Sequence, residues 1–208
     1  MIAKLPLCVC VLMPLSALGA DKEWRFRVYL DDKEIGYHSF ALREQGAERL
    51  IDIEADFEYK LLFLSLFEYQ HRTTEVWSGN CLQAIEAETF ANGESYELRG
   101  RRSDSSFRLS EPRANVSLPE CVMTFAYWNP SFLEQDRLLD PQTGKLLDVE
   151  VSEPSPDQLL VKGTALDARR YQLVADGLDI SLWYGADDEW LGLEADAVGG
   201  RKLRYELM

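Results

Sequence analysis

The residues best suited to chemistry lie on one short stretch. Tyr69, His71, Thr73, Glu75 and Trp77 alternate with Gln70, Arg72, Thr74 and Val76. In an extended chain, alternate residues share a face. A tyrosine, a histidine and a glutamate on one inward face are the parts of a proton-transfer cluster. The spacing argues against that role. On a strand, His71 and Glu75 stand about 13 Å apart, too far for a direct hydrogen bond. The plainer reading is a locally bonded polar row. The chain has no G-x-S-x-G elbow, no H-E-x-x-H, and no glycine loop that would cradle a phosphate. No catalytic residue, and no enzyme, is expected.

Metal chemistry is also unexpected. Zinc wants four N or S ligands at close spacing. Besides the cysteines, the chain offers only His38 and His71. Neither a metal nor a cofactor is implied. Of the four cysteines, Cys8 and Cys10 fall in the first twenty residues, which leaves Cys81 and Cys121. In an oxidising compartment such a pair predicts one disulfide. Closing a loop of about forty residues is worth on the order of 4 kcal/mol in the chain-entropy account. The alternative is two buried free thiols.

A ligand is the more concrete expectation. Lys60 to Phe67 breaks the alternation of its neighbours, and seven of its eight residues are uncharged. Such a run is buried on both faces, or it forms a short helical turn plugging a sheet. Either arrangement can line an apolar cavity. Large rings also gather at Phe125, Tyr127, Trp128 and Phe132, and again at Trp183, Tyr184 and Trp190. Phe63, Leu66, Tyr69, Tyr127 and Trp128 are therefore the expected contacts for a lipid or fatty acid. Ordinary core packing is the alternative for the same residues. It corresponds to an envelope interaction or accessory protein with a filled interior and a protein partner. Arg99, Arg101 and Arg102 form a small basic cluster, read as an exposed strand face paired with nearby acids.

The elements that must position these residues are strands. Trp24, Phe26, Val28 and Leu30 alternate with polar residues or Tyr29, and Ile51 to Tyr59 does the same with acids between. Further strands are expected near 35–43, 68–77, 81–90, 95–103 and 105–110. After a break they resume near 146–151, 158–161, 169–175, 178–184, 190–195 and 201–207. Asn92-Gly93 is a sharp hairpin signal, because both residues tolerate positive φ. The stretch 120–139 loses the two-residue period. There Ser131, with Glu134 three residues on, predicts a short helix over Phe132 to Leu139. About thirteen short strands with tight turns make an all-β antiparallel meander. Such a sheet must curl into a half-barrel or barrel, because a long flat sheet leaves a wet apolar face. A two-sheet sandwich is the alternative.

The start of the chain reads as an address. Lys4 precedes an apolar run from Leu5 to Leu18, and small residues end at Ala20 before the charged run from Asp21. This is the layout of a cleaved secretory signal, 1–20, followed by a single domain, 21–208. The apolar run is short of the ~20 residues a spanning helix needs, and no later stretch is apolar enough to cross a membrane. Export to the periplasm follows. The formal net charge is −14, with 36 acidic against 22 basic residues. Such a charge repels phosphate backbones, so no nucleic acid is expected.

Four motifs together resemble a known group. They are Val28-x-Leu30-Asp31-Asp32-x-x-Ile35-Gly36-x-His38, Glu75-Val76-Trp77, Tyr127-Trp128-Asn129, and Leu139-Asp140-x-x-Thr143-Gly144-x-Leu146. As a set they are similar to family 6134 of the domain-of-unknown-function series, over essentially the whole chain after residue 20. The resemblance implies an exported β-rich domain and transfers no catalytic residue. The opening hairpin is also similar to curved periplasmic lipoprotein-carrier-like β-proteins that hold acyl chains. Fold likeness of that kind does not give function.

The address makes a direct prediction. N-terminal sequencing of the protein recovered from its own cells should begin at Asp21 or within two residues of it. A membrane-bound product still carrying Met1 refutes this.

Overall fold

The computed structural model describes residues 21–61, 64–110, 115–197 and 199–208. The expected signal segment and Phe63 lie outside them. The described residues form fifteen strands: β1 (Lys22–Leu30), β2 (Lys33–Gln45), β3 (Glu48–Leu61), β4 (Leu64–Ser78), β5 (Cys81–Ala91), β6 (Glu94–Ser103), β7 (Ser106–Ser110), β8 (Asn115–Leu118), β9 (Arg137–Leu139), β10 (Leu146–Val151), β11 (Ser155–Val161), β12 (Thr164–Ala175), β13 (Leu178–Tyr184), β14 (Trp190–Ala197) and β15 (Arg201–Leu207). They make one antiparallel sheet in the order β8-β7-β6-β5-β4-β3-β2-β1-β15-β14-β13-β12-β10-β9, with β11 also paired to β12. The last strand thus lies beside the first, and the sheet curls without closing. Among the described residues, no helix is long and apolar enough to cross a membrane.

Alternation decides which side faces in. Trp24, Phe26, Val28 and Leu30 are buried while Arg25 and Arg27 are exposed. Ile51, Ala55 and Phe57 are buried on β3, and His71, Thr73, Glu75 and Trp77 on β4. The concave side is therefore the core, and the acids of β3 face out.

Bulges interrupt the pattern at defined places. Tyr59 pairs with Phe67 and Lys60 with Ser65, so Leu66 is the extra residue of a bulge. Leu66 is 54% exposed. Two-sided burial therefore does not hold at Leu66. In the described part of the run, β3 reaches Leu61 and β4 begins at Leu64, and the bulge at Leu66 breaks the alternation. A second bulge skips Ile35, between the pairs Val28–Gly36 and Tyr29–Glu34.

The stretch 120–139 departs from expectation in detail. Its helical part is a 3-10 turn over Pro130–Glu134, and its cap is Asn129, whose side chain accepts from the Ser131 N–H. Pro130 sets the start of the turn. Leu138 and Leu139 leave helical geometry because they pair with Leu147 and Leu146. The segment covers the concave face, where Val122, Met123, Ala126, Trp128 and Phe132 join the core. Cys81 and Cys121 are disulfide-bonded, with Cα atoms 4.9 Å apart. Beside the bridge, the Leu82 N–H donates to the Val122 carbonyl at 3.1 Å. The segment is thus tied covalently to the start of β5.

Two smaller features complete the fold. On the outer face, Ala168, Trp183 and Leu191 form a separate apolar patch under Leu159 and Val161 of β11. Of the basic cluster, Arg102 pairs with Glu120, and no ion pair of Arg99 or Arg101 is seen among the described residues.

Gly36 is the tightest backbone approach in the fold. Its φ is +148°, and a Cβ built there would lie 1.8 Å from the Asp56 carbonyl oxygen. Gly36→Ala must therefore displace β3 or break a ladder pair. We expect a loss on the order of 3 kcal/mol, from backbone strain and overpacking together. Denaturant melts of the two proteins would show it. An unchanged midpoint would show that this junction is not fixed as described.

Candidate ligand site on the concave face

The site is built from ladder rows. One row crosses Tyr69 on β4, Phe57 on β3, Gly36 on β2, Val28 on β1, Tyr205 on β15 and Leu193 on β14. The next row, toward the β3–β4 and β14–β15 connections, holds Phe67, Tyr59, Leu30, Leu203 and Ala195. Both carry aromatic rings, clustered on β3 and β4. Phe57 and Tyr69 stack at 5.6 Å between centroids, and Phe67 and Tyr69 at 6.4 Å. His38 meets Phe57 at 6.1 Å and Tyr205 at 5.7 Å.

Burial divides the concave face into two regions. Around Trp77, Phe26, Phe132 and Leu182 the side chains are fully enclosed. Toward the open end, the inward-facing His38, Tyr59, Phe67, Tyr69, Tyr127 and Leu203 are only half-buried. A close-packed interior leaves few such gaps. These side chains make an aromatic surface that is only partly covered.

The polar groups follow the same division. In the enclosed part, His71 has Thr89 Oγ1 at 2.7 Å from Nδ1 and Thr73 Oγ1 at 2.6 Å from Nε2. Glu75 accepts from Trp77 Nε1 at 2.9 Å and from the Thr124 hydroxyl. His71 and Glu75 do not meet, so the proton-transfer cluster is not assembled. At the open end, Tyr205 Oη lies 3.2 Å from His38 Nδ1, while His38 Nε2 is buried without a partner among the described residues. Burial lowers the pKa of His38 to about 3 and that of His71 to about 4, so both rings are neutral near pH 7. Burial also raises Tyr69, Tyr127 and Tyr205. The Asp140 carboxylate is close enough to push Tyr69 and Tyr127 further up and to offset part of the His71 shift.

The expected contacts separate accordingly. Tyr69 and Tyr127 belong to the half-buried surface. Tyr127 lies 5.2 Å from Trp190 and 5.6 Å from Phe132 between ring centroids, and its carbonyl accepts from Tyr184 Oη at 2.7 Å. Trp128 is buried farther down, edge-on to Trp77 at 5.6 Å, with Arg49 over its ring. Leu66 is not brought to the others, because its bulge leaves it exposed. His38, Phe57, Tyr205 and Asp140 were not singled out as contacts. Only the register and the closing loop bring them there. The two hollows seen among the described residues, of ≈ 400 and ≈ 260 Å³, lie on the outer face against Glu54, Arg72 and Glu88 and against Arg170 and Asp179. An apolar hollow on the concave side is not among them. Within the described residues, no cluster of His, Cys, Asp or Glu could hold a metal.

A curled, unclosed antiparallel sheet with an aromatic inner face defines a β-barrel-like protein. The chain belongs to the family described as Domain of unknown function (DUF6134), which matches residues 26–208. Among solved structures it is similar to a β-barrel-like protein of Domain of Unknown Function DUF1849 from Brucella abortus. That likeness has 11% identity and a TM-score of 0.63, covering 89% of this chain and 94% of the other. At that identity it shows the fold alone. No curated protein matches the chain.

Glu75 offers a test of the enclosed region. Burial raises its pKa from the ordinary 4.5 to about 7, against its two hydrogen bonds. Between those values the folded chain holds a proton that the unfolded chain releases. Raising the pH through this window therefore removes stability, by at most ~1.4 kcal/mol per pH unit. His38 and His71 act oppositely. Their depressed values contribute stability above pH 6.5 that is lost as pH falls toward 4 and 3. Comparison with Glu75→Gln isolates the carboxyl. The stability of wild type relative to this variant should fall between pH 5 and pH 7 and then level off. A constant difference across that range refutes a protonated buried Glu75.

Proposed function

We propose that the protein is an exported, periplasmic and non-catalytic binding protein, which takes an apolar ligand of the lipid or fatty-acid class on the concave face of its sheet. One observation carries the reading. Inward-facing side chains at one end of the core, including Phe67, Tyr69, Tyr127 and Leu203, are half-buried, whereas Phe26, Trp77, Phe132 and Leu182 are fully enclosed. Exposed rings grouped on a concave surface gain free energy when an apolar group covers them, about 25 cal/mol per Å². The neutral histidines and the high tyrosine pKa values keep this surface uncharged apart from Asp140. The layout of residues 1–20 supports export.

The test is binding by the mature protein. Native mass spectrometry after purification from the cell envelope should show a co-purifying lipid mass. Leu203→Trp should block a fluorescent fatty-acid probe at less than ~1 kcal/mol in stability, because the added ring fills open space. In a packed core the same change would overpack and cost roughly 1–3 kcal/mol. A destabilised variant, together with no probe binding by wild type, would favour an accessory protein working through its surface.

A further inference from the structure

We propose that Lys33 and Arg201 hold the anionic head of an amphiphile whose apolar part lies against the aromatic surface within. This rests on the ligand-binding reading above and adds the ligand's charge and direction. Lys33 Nζ stands 4.4 Å from the centre of the Tyr59 ring, and the Arg201 guanidinium 4.8 Å from the same centre. Tyr59 belongs to the outermost aromatic row of the concave face, beside Phe67. Two cations therefore share one ring where the half-buried surface begins.

Their partners are incomplete. Lys33 donates to the Lys60 carbonyl, and the nearby Lys60 is paired with Glu58 at 2.5 Å. Among the described residues, neither Lys33 nor Arg201 has a carboxylate within ion-pair distance, although acids outnumber bases 36 to 22. Like charges on one ring repel, and the ring face offsets this only in part. A carboxylate or phosphate that contacts both cations would relieve it. The interior offers an anion nothing comparable. His38 and His71 are neutral there, and Asp140 lies near Tyr69 and Tyr127. An anionic head thus stays at the rim and the chain points inward.

Calorimetry with decanoate, 1-decanol and acetate tests this on the mature protein at pH 8. Decanoate should bind roughly tenfold tighter than decanol, the size expected of two partly exposed charge contacts. Lys33→Gln with Arg201→Gln should abolish that preference and leave decanol binding unchanged, and Lys33→Arg should retain it. Added salt should weaken decanoate and not decanol. Equal binding of decanoate and decanol by wild type, or a preference that survives the double variant, overturns the head-group site while the binding reading stands. Acetate binding as tightly as decanoate overturns it in favour of a simple anion site. If neither alkyl compound binds, the binding reading falls and the head-group site falls with it.

Discussion

A curled sheet that does not close must cover its own concave face. That constraint organises this fold. Fifteen strands leave a long apolar trough, and water against it would forfeit the hydrophobic gain that makes the sheet worth forming. The chain supplies its own filling. Residues 120–139 place Met123, Ala126, Trp128 and Phe132 in the trough. Several ties of different kinds keep them there: the Cys81–Cys121 bridge, the Leu82–Val122 backbone bond, the Asn129 to Asn80 amide contact at 3.3 Å, and the Thr124 hydroxyl on Glu75. Burying Glu75 is unfavourable for its charged form. Its carboxyl is tolerated because two donors meet it and because burial raises its pKa to about 7, so that it is protonated about half the time near neutrality.

The strands were legible because their burial is one-sided. Trp24 to Leu30 and Ile51 to Tyr59 alternate so strictly that only one face can be inside. What alternation cannot show is where a strand gains a residue. Leu66 sits at such a bulge, and its broken pattern looks in sequence like two-sided burial. The same limit hid the role of Ile35-Gly36, where a bulge and a glycine bring β2 hard against β3. Local capping misled at Ser131 for a related reason. Ser131 and Glu134 have the spacing of a capping box, but Asn129 with Pro130 starts a tighter turn, and strand pairing then takes Leu138 and Leu139. Tertiary pairing outweighed a weak helical preference.

The candidate site was partly visible. Tyr69 follows from strand parity, and Tyr127 from the density of rings in a stretch without strand period. His38, Tyr205 and Phe57 needed long-range register, since Tyr205 reaches its row only because the last strand pairs with the first. Asp140 has a double identity. Its carboxylate accepts from the Gln142 N–H at 2.9 Å and from Thr143 Oγ1 at 2.5 Å, a self-contained turn that explains the Asp-x-x-Thr-Gly motif without a ligand. Its charge is nevertheless felt by three inward-facing groups. Only the folded chain joins those two roles.

The two histidines show how polar capacity is distributed along the concave face. Both are neutral, and burial is the main cause for each. His71 has spent both ring nitrogens on threonine hydroxyls within its own sheet, so it has nothing to offer a visitor. His38 has spent one on Tyr205 and keeps Nε2 unpaired. An unpaired buried nitrogen costs free energy that a single hydrogen bond from a guest would recover. Of the rings around it, Phe40 and Phe57 can meet a guest only through dispersion and area, while Tyr205 also carries the hydroxyl that meets His38 Nδ1. A spare polar atom set among aromatic faces fits the proposed guest, a molecule that is apolar over most of its length.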